Sequence, residues 1–167
     1  MNFSENMYYI TTLNNASVLF GPCPDRNLPL QESINAYKEK GIELVISLLK
    51  EHEISELNLE DEEKFCLSVG ISYLHLPITD MSIPSLKRFS DFIELLYKIT
   101  NDKKMMYIHC LHGIGRSSLV TAGLLIRSGI PIKEALKLIA DKRGLNVPET
   151  FSQKKLLSLY EKSIGNS

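Results

Sequence analysis

The chain has 167 residues, a length that suits one domain able to bury most of its apolar surface without disulfide or metal support. Its 44% hydrophobic and 23% charged residues describe an ordinary globular protein, and a net charge of −1 excludes the broad positive field that gathers nucleic acid or anionic membrane. Any anion must therefore be held locally.

Three cysteines, at 23, 66 and 110, make neither a disulfide framework nor a paired metal site, and they fit a reducing cytoplasmic compartment. The N-terminus MNFSENMYYI lacks a basic region followed by an apolar one, and the apolar runs Leu44 to Leu49 and Leu119 to Ile126 are too short to span a bilayer. Neither export nor membrane insertion is expected. Gly165-Asn166-Ser167 is no lipidation signal. No repeat or linker divides the chain, so a single domain over 1–167 is expected, as a monomer.

In chain order, Tyr8 to Leu13 and Val18 to Phe20 are β-branched and aromatic around Asn14-Asn15, which predicts a hairpin at a sheet edge, within about 7–20. Gly21 to Asp25 breaks the chain. A helix from Leu30, with Ile34, Ala36 and Tyr37 on it, stops at Gly41, and Ile42 to Leu49 reads as a strand buried on both faces. A charged stretch of helical character follows, its runs Glu51 to Glu56 and Glu60 to Lys64 read as solvated helix faces. Ile71 to Leu76 is a second strand, ended by Pro77.

After the loop PITDMSIPS, Pro84 opens a helix with Leu86, Phe89, Ile93 and Leu96 at helical spacing, widened by Phe92, Leu95 and Ile99. Met105 to His109 is a short strand. Leu119 to Ile126 is a helix apolar almost all round and so central, closed by Gly129. Pro131 starts another with Ile132, Ala135, Leu136 and Ile139, and a last helix runs from about Thr150 through Leu156, Leu157 and Tyr160. This alternation predicts an α/β fold: a central mixed, mainly parallel β-sheet flanked by helices.

Ligands of such sheets bind at the carboxyl ends of strands, where the segment HCLHGIGRSS, residues 109–118, falls between a strand and the central helix. Gly113 and Gly115 let the backbone curl into an anion nest, the helix adds its positive end, and Arg116 adds a planar fork of donors. The same field favours the thiolate of Cys110, a nucleophile set beneath a bound phosphate. The leaving oxygen then needs a general acid. Asp80, in a proline-flanked loop after a parallel strand, lies at the right edge; Asp91, inside a helix, and Asp102, at the strand's opposite end, do not.

HCLHGIGRSS resembles the H-C-x₅-R-[ST] signature of the cysteine-dependent protein tyrosine phosphatases, and PITDMSIP is similar to the acid loop of their dual-specificity branch. The 110 − 80 = 30 residues between Cys110 and Asp80 suit that branch, and the layout most resembles the kinase-associated phosphatases, from Gly21 to Tyr160. The resemblance implies a catalytic core over about 21–160. It implies Cys110 as nucleophile, Asp80 as acid and then base, Ser117 as hydrogen-bond donor to the sulfur, and His109 ordering the loop from behind. It also implies a phosphate cradle from Leu111, His112, Gly113, Ile114, Gly115 and Arg116, and Gln153 as a water-positioning residue. The implied substrates are phosphorylated proteins, a kinase among the candidates, with a shallow cleft admitting phosphotyrosine and phosphoserine/threonine.

The remaining residues receive plainer readings. His75 is a satisfied structural histidine, and Cys23 and Cys66 are passive small residues unless one lies near enough to pair with an oxidised Cys110. His112 is a rim contact or a solvated side chain. Lys87 and Arg88 are candidates to attract an anionic substrate, and Arg143 reads as half of a surface ion pair. No metal or cofactor is expected, since His109, Cys110 and His112 on one tight loop cannot converge on zinc and no Gly-Lys-[Ser/Thr] phosphate loop exists. A rhodanese-like sulfur-transfer enzyme would need no acid loop. The alternatives are a phosphoinositide phosphatase, disfavoured by the absence of lysine in the loop, and a non-catalytic phosphate-binding adaptor.

Overall fold

A computed structural model describes residues 6–103 and 105–165, so the outermost parts of the expected 1–167 domain lie outside the described residues. Five strands form one sheet in the order β1-β2-β5-β3-β4. The strands are β1 (Tyr8–Leu13), β2 (Ala16–Pro22), β3 (Leu44–Ser47), β4 (Ser72–His75) and β5 (Met105–Cys110). The hairpin partner β1 is antiparallel and sits at the edge, whereas β2, β5, β3 and β4 run parallel. The expected mixed, mainly parallel sheet is thus the observed one, and its central strand β5 ends at Cys110.

The helices are α1 (Leu30–Lys40), α2 (Glu51–Glu56), α3 (Glu62–Ser68), α4 (Leu86–Ile99), α5 (Arg116–Arg127), α6 (Ile132–Arg143) and α7 (Phe151–Gly165). Strand alternation assigns them to two layers. Phe20, Ile46, Met106, Ile108 and Cys110 face the side filled by Phe89, Ile93, Leu119, Leu125, Ile139 and Tyr160 of α4 to α7. Leu19, Val45 and Tyr107 face the other side, with Ile34, Tyr37 and Cys66 of α1 and α3. Helix α5, buried from Arg116 to Ile126, is the expected central helix. It approaches α4 so closely that a Cβ on Gly123 would stand 2.7 Å from Phe89 and Ile93.

Several expected boundaries shift. The strand expected over Ile42 to Leu49 is regular only over Leu44–Ser47, although Glu43 and Leu48 N–H still donate to the Met105 and His109 carbonyls of β5 and Leu48 and Leu49 stay buried. Strand β2 continues through Gly21 to Pro22, paired with His109 and Cys110, past the expected break. The charged stretch divides into α2 and α3, and Ser85 rather than Pro84 caps α4, its side chain accepting from Arg88 N–H. Leu95, expected to widen the apolar face of α4, is 44% exposed. It lies beyond the stripe that meets α5 and α7. The larger correction concerns the charge runs: Glu53 and Glu62 are buried, each holding a residue of the loop region.

Candidate active site

The site occupies the carboxyl ends of the parallel strands, between β5 and α5. Cys110 closes β5 at 3% exposure, and its Sγ lies 3.5 Å from Ser117 Oγ in the first turn of α5. Gly115 is the N-cap of α5 and brings no side-chain acceptor, so the leading amides of the helix stay available to an anion. Gly113 has φ +67°, and a Cβ there would stand 2.4 Å from the Gly21 carbonyl carbon. Only glycine allows both that dihedral and that approach.

Arg116 is almost wholly buried, with its donors divided between two uses. Its Nη1 and Nη2 donate to Glu53 Oε2 and Oε1 at 2.7 and 2.8 Å, and Nη1 also donates to the Ile78 carbonyl at 3.1 Å. A guanidinium has five N–H donors. Among the described residues three are engaged, which leaves Nε–H and the second Nη2–H, the side edge of the fork, for a phosphate. Burial pushes the Glu53 carboxyl up, but the Arg116 guanidinium and the Lys50 amide outweigh it and hold Glu53 below the ordinary carboxylate range. Glu53 in turn raises Arg116 further, against the opposing effect of burial.

Asp80 meets that free edge. Its Oδ1 is 3.2 Å from Arg116 Nε as an ion-pair contact, and the N–H is not aimed well enough at it for a hydrogen bond. The acid-loop aspartate expected from sequence therefore stands over the loop, half-exposed. Asp91 instead pairs with Lys87 on the outer face of α4, and Asp102 lies in the turn before β5.

His109 is fully buried on the opposite face of β5 from Cys110, and its Nε2 is 2.9 Å from Glu62 Oε1. His112 is exposed, at the rim, and Leu111 and Ile114 are half-buried. Gln153 is buried in α7; its Oε1 accepts from Thr150 N–H, and its Nε2, without a partner among the described residues, lies beside Gly115 together with the Glu149 carboxylate. His75 Nε2 lies 2.7 Å from the Leu49 carbonyl, the satisfied histidine expected. Burial, with the Glu62 charge adding to it, pushes the Cys23 and Cys66 thiols up to about 12, which fits their reading as passive residues.

Two readings of basic residues need correction. Among the described residues Arg143 meets no carboxylate: its Nε donates to the Gly113 carbonyl at 2.9 Å, Nη2 to the His112 carbonyl at 3.2 Å and Nη1 to the Tyr8 hydroxyl at 3.2 Å. Loop carbonyls turned outward need donors, and a guanidinium at the end of α6 supplies them. Nor are Lys87 and Arg88 free attractors of anions, since Lys87 pairs with Asp91 and Arg88 donates to the Pro77 carbonyl at the root of the acid loop. Sequence reading missed Glu53, Glu62 and Arg143 as parts of the site; their only signal was a charge type, without spacing to single them out.

A buried thiol at a strand end, a glycine loop, a clamped arginine and an overhanging carboxylate define an α/β domain of the dual-specificity phosphatase type. Comparison with known proteins agrees. The family model Tc-R-P, described as "Polymorphic toxin system, DSP-PTPase phosphatase", matches residues 22–130, and the chain belongs to that family.

Among curated proteins it is 28% identical over 126 residues to cyclin-dependent kinase inhibitor 3 of Rattus norvegicus, covering 74% of this chain and 59% of that protein. It is 27% identical over 151 residues to putative tyrosine phosphatase 197R of Invertebrate iridescent virus 6, covering 85% of this chain and 50% of that one. The chain thus spans about half to three-fifths of the length of these relatives. The solved structure of Tk-PTP in its active form aligns with TM-score 0.76 at 25% identity, covering 94% of this chain and 97% of that one. Kinase associated phosphatase aligns with TM-score 0.83 at 21% identity, covering 97% and 96%, which shows the shared fold.

Proposed function

We propose that the protein is a phosphoric monoester hydrolase, a cysteine-dependent phosphatase working through a phosphocysteine intermediate on phosphotyrosine and phosphoserine/threonine of proteins. The observation that carries this reading is the placement of Asp80 3.2 Å from the free edge of Arg116, beside the loop that begins at Cys110. A phosphate seated on Nε–H and Nη2–H displaces the Asp80 carboxylate from the guanidinium toward the substrate's leaving oxygen.

The steps follow. The Cys110 sulfur attacks phosphorus, the P–O bond to the leaving group breaks, and Asp80 gives that oxygen its proton. Backbone amides of residues 111–116 and the Arg116 edge hold the charge that develops on the phosphoryl oxygens. Water then attacks phosphorus, Asp80 takes its proton, and sulfur leaves as thiolate with the Ser117 hydroxyl donating to it. The free buried amide nitrogen of Gln153 beside Gly115 supports its reading as a residue that positions this water.

The sequence of residues 111–115, LHGIG, has no lysine for the further phosphates of an inositol headgroup, which favours phosphoprotein over phosphoinositide substrates. Likeness to a cyclin-dependent kinase inhibitor supports a phosphorylated kinase as one candidate partner. Among the described residues no helix is long and apolar enough to cross a membrane, and the three cysteines are free; a cytoplasmic monomer is kept as the working expectation. The test is phosphate release from a phosphopeptide and phosphoinositide panel by the wild type beside Cys110→Ser. Release from phosphopeptides by the wild type alone is expected; equal rates would leave a phosphate-binding adaptor.

A further inference from the structure

Helix α3 turns two side chains with no exposure toward the sheet, Cys66 and Glu62. A carboxylate so placed is costly unless donors meet its oxygens. Glu62 Oε1 accepts from His109 Nε2 at 2.9 Å, and Oε2 accepts from the Tyr73 hydroxyl at 3.1 Å. The donors stand on different strands, β5 at the centre of the sheet and β4 at its edge.

The surroundings single out the imidazole. Tyr37 of α1, Tyr73 of β4, Tyr107 of β5, Cys23 after β2 and Cys66 on α3 all feel the Glu62 charge, and burial first and that charge after it push each of them up. These are acids kept in their neutral form, which makes His109 the one basic group among these neighbours. A carboxylate only accepts, so Nε2 of His109 carries the hydrogen. Its Nδ1 is buried without a partner among the described residues. Glu62 therefore holds the ring by its one hydrogen-bonded nitrogen.

That ring is one residue from the nucleophile. His109 and Cys110 share a peptide whose carbonyl accepts from Leu48 N–H at 3.0 Å, and strand alternation sends their side chains to opposite faces. The ring goes to Glu62; the sulfur goes to Ser117. Fixing the ring fixes the rotation of the peptide from which Cys110 projects. None of the catalytic steps above uses Glu62, yet it is bonded through His109 to the peptide they depend on.

We propose that Glu62 is a positioning residue for Cys110, holding His109 in a single orientation and tautomer so that the thiol stands in line with a phosphate seated on Arg116. This rests on the phosphatase reading above. It is tested with Glu62→Leu, which keeps the bulk and removes both acceptors, and Glu62→Gln, which retains an acceptor for His109.

In Glu62→Leu, kcat on an aryl phosphate should fall about tenfold to a hundredfold with KM little changed, and iodoacetamide should alkylate Cys110 correspondingly more slowly. Glu62→Gln should restore most of both. Nitrogen-15 NMR should show His109 protonated at Nε2 alone in the wild type and in Glu62→Gln, and a tautomer mixture in Glu62→Leu. Should Glu62→Leu not fold, Glu62→Asp, too short to reach His109 and Tyr73 together, should give an intermediate loss of kcat. Lowered melting temperature with wild-type kcat, or a loss confined to KM, would overturn the proposal. The alkylation and NMR arms do not depend on turnover, so an inactive wild type would sink the phosphatase reading and leave this one decided separately.

Discussion

Glu53 and Arg116, 63 residues apart in the chain, are joined by two hydrogen bonds of 2.7 and 2.8 Å in a nearly dry site. The pair aims the side edge of the guanidinium at the mouth of the loop. Removing one partner of a buried ion pair costs about 3–5 kcal/mol, because the other charge is left uncompensated. Glu53→Gln should therefore lower the melting temperature by about 10 °C and kcat/KM on an aryl phosphate by at least about tenfold. Calorimetry and steady-state kinetics check both; a loss of stability with unchanged kcat/KM would mean that Glu53 does not orient Arg116.

The same pair sets an acid limit. Glu53 is held below its ordinary value of 4.5, so its contribution to stability is full above that pH and is lost as pH falls through the lowered folded value. The wild type should therefore lose melting temperature on acidification below pH 4.5, and Glu53→Gln should show a smaller loss over that window. Parallel curves for the two proteins would remove Glu53 from the account.

Arg143 ties two loop carbonyls and Tyr8 to the end of α6. Alanine in its place leaves those carbonyls short of donors, and lysine lacks the fork to reach more than one. Both Arg143→Ala and Arg143→Lys should weaken vanadate binding and lower kcat/KM by about tenfold, with lysine recovering little. Full recovery by lysine would show that charge alone matters at this position.

How far the sequence foretold this molecule depends on how local each signal was. The β5–loop–α5 unit is contiguous, so Cys110, Gly113, Gly115, Arg116 and Ser117 could be read from their spacing alone. Asp80 was legible at one remove, since parallel strands bring their carboxyl ends together. Glu53, Glu62 and Arg143 were not: each meets its partner 63, 47 or 30 residues away, and a charged residue in a charged run carries no mark of the core. In α2 and α3, short helices lying against the site, helical periodicity turns one carboxylate of each run inward. Burial of that carboxylate is decided by the cation or imidazole waiting there.

Gly113 combines a left-handed dihedral with contact against the Gly21–Pro22 backbone, which no flexible side chain can relieve. Gly113→Ala should cost about 1–3 kcal/mol of stability and displace the loop from β2. Chemical denaturation and phosphate affinity should both register it. Wild-type affinity for phosphate in a folded Gly113→Ala protein would show that the cradle does not need this conformation.

One substitution separates the two roles proposed for Asp80. As the acid, it matters in proportion to how poorly the leaving group departs on its own, so Asp80→Ala should slow phenyl or alkyl phosphates by about 10²–10⁴-fold and aryl phosphates with good leaving groups far less. As a carboxylate 3.2 Å from Arg116 Nε, it also competes with the incoming anion for that edge. Its removal should therefore tighten the binding of inorganic phosphate or vanadate even as turnover falls, a combination that loss of fold cannot produce. Equal slowing across leaving groups would assign the proton to another residue, and weakened anion binding would show that Asp80 does not stand in the phosphate's way.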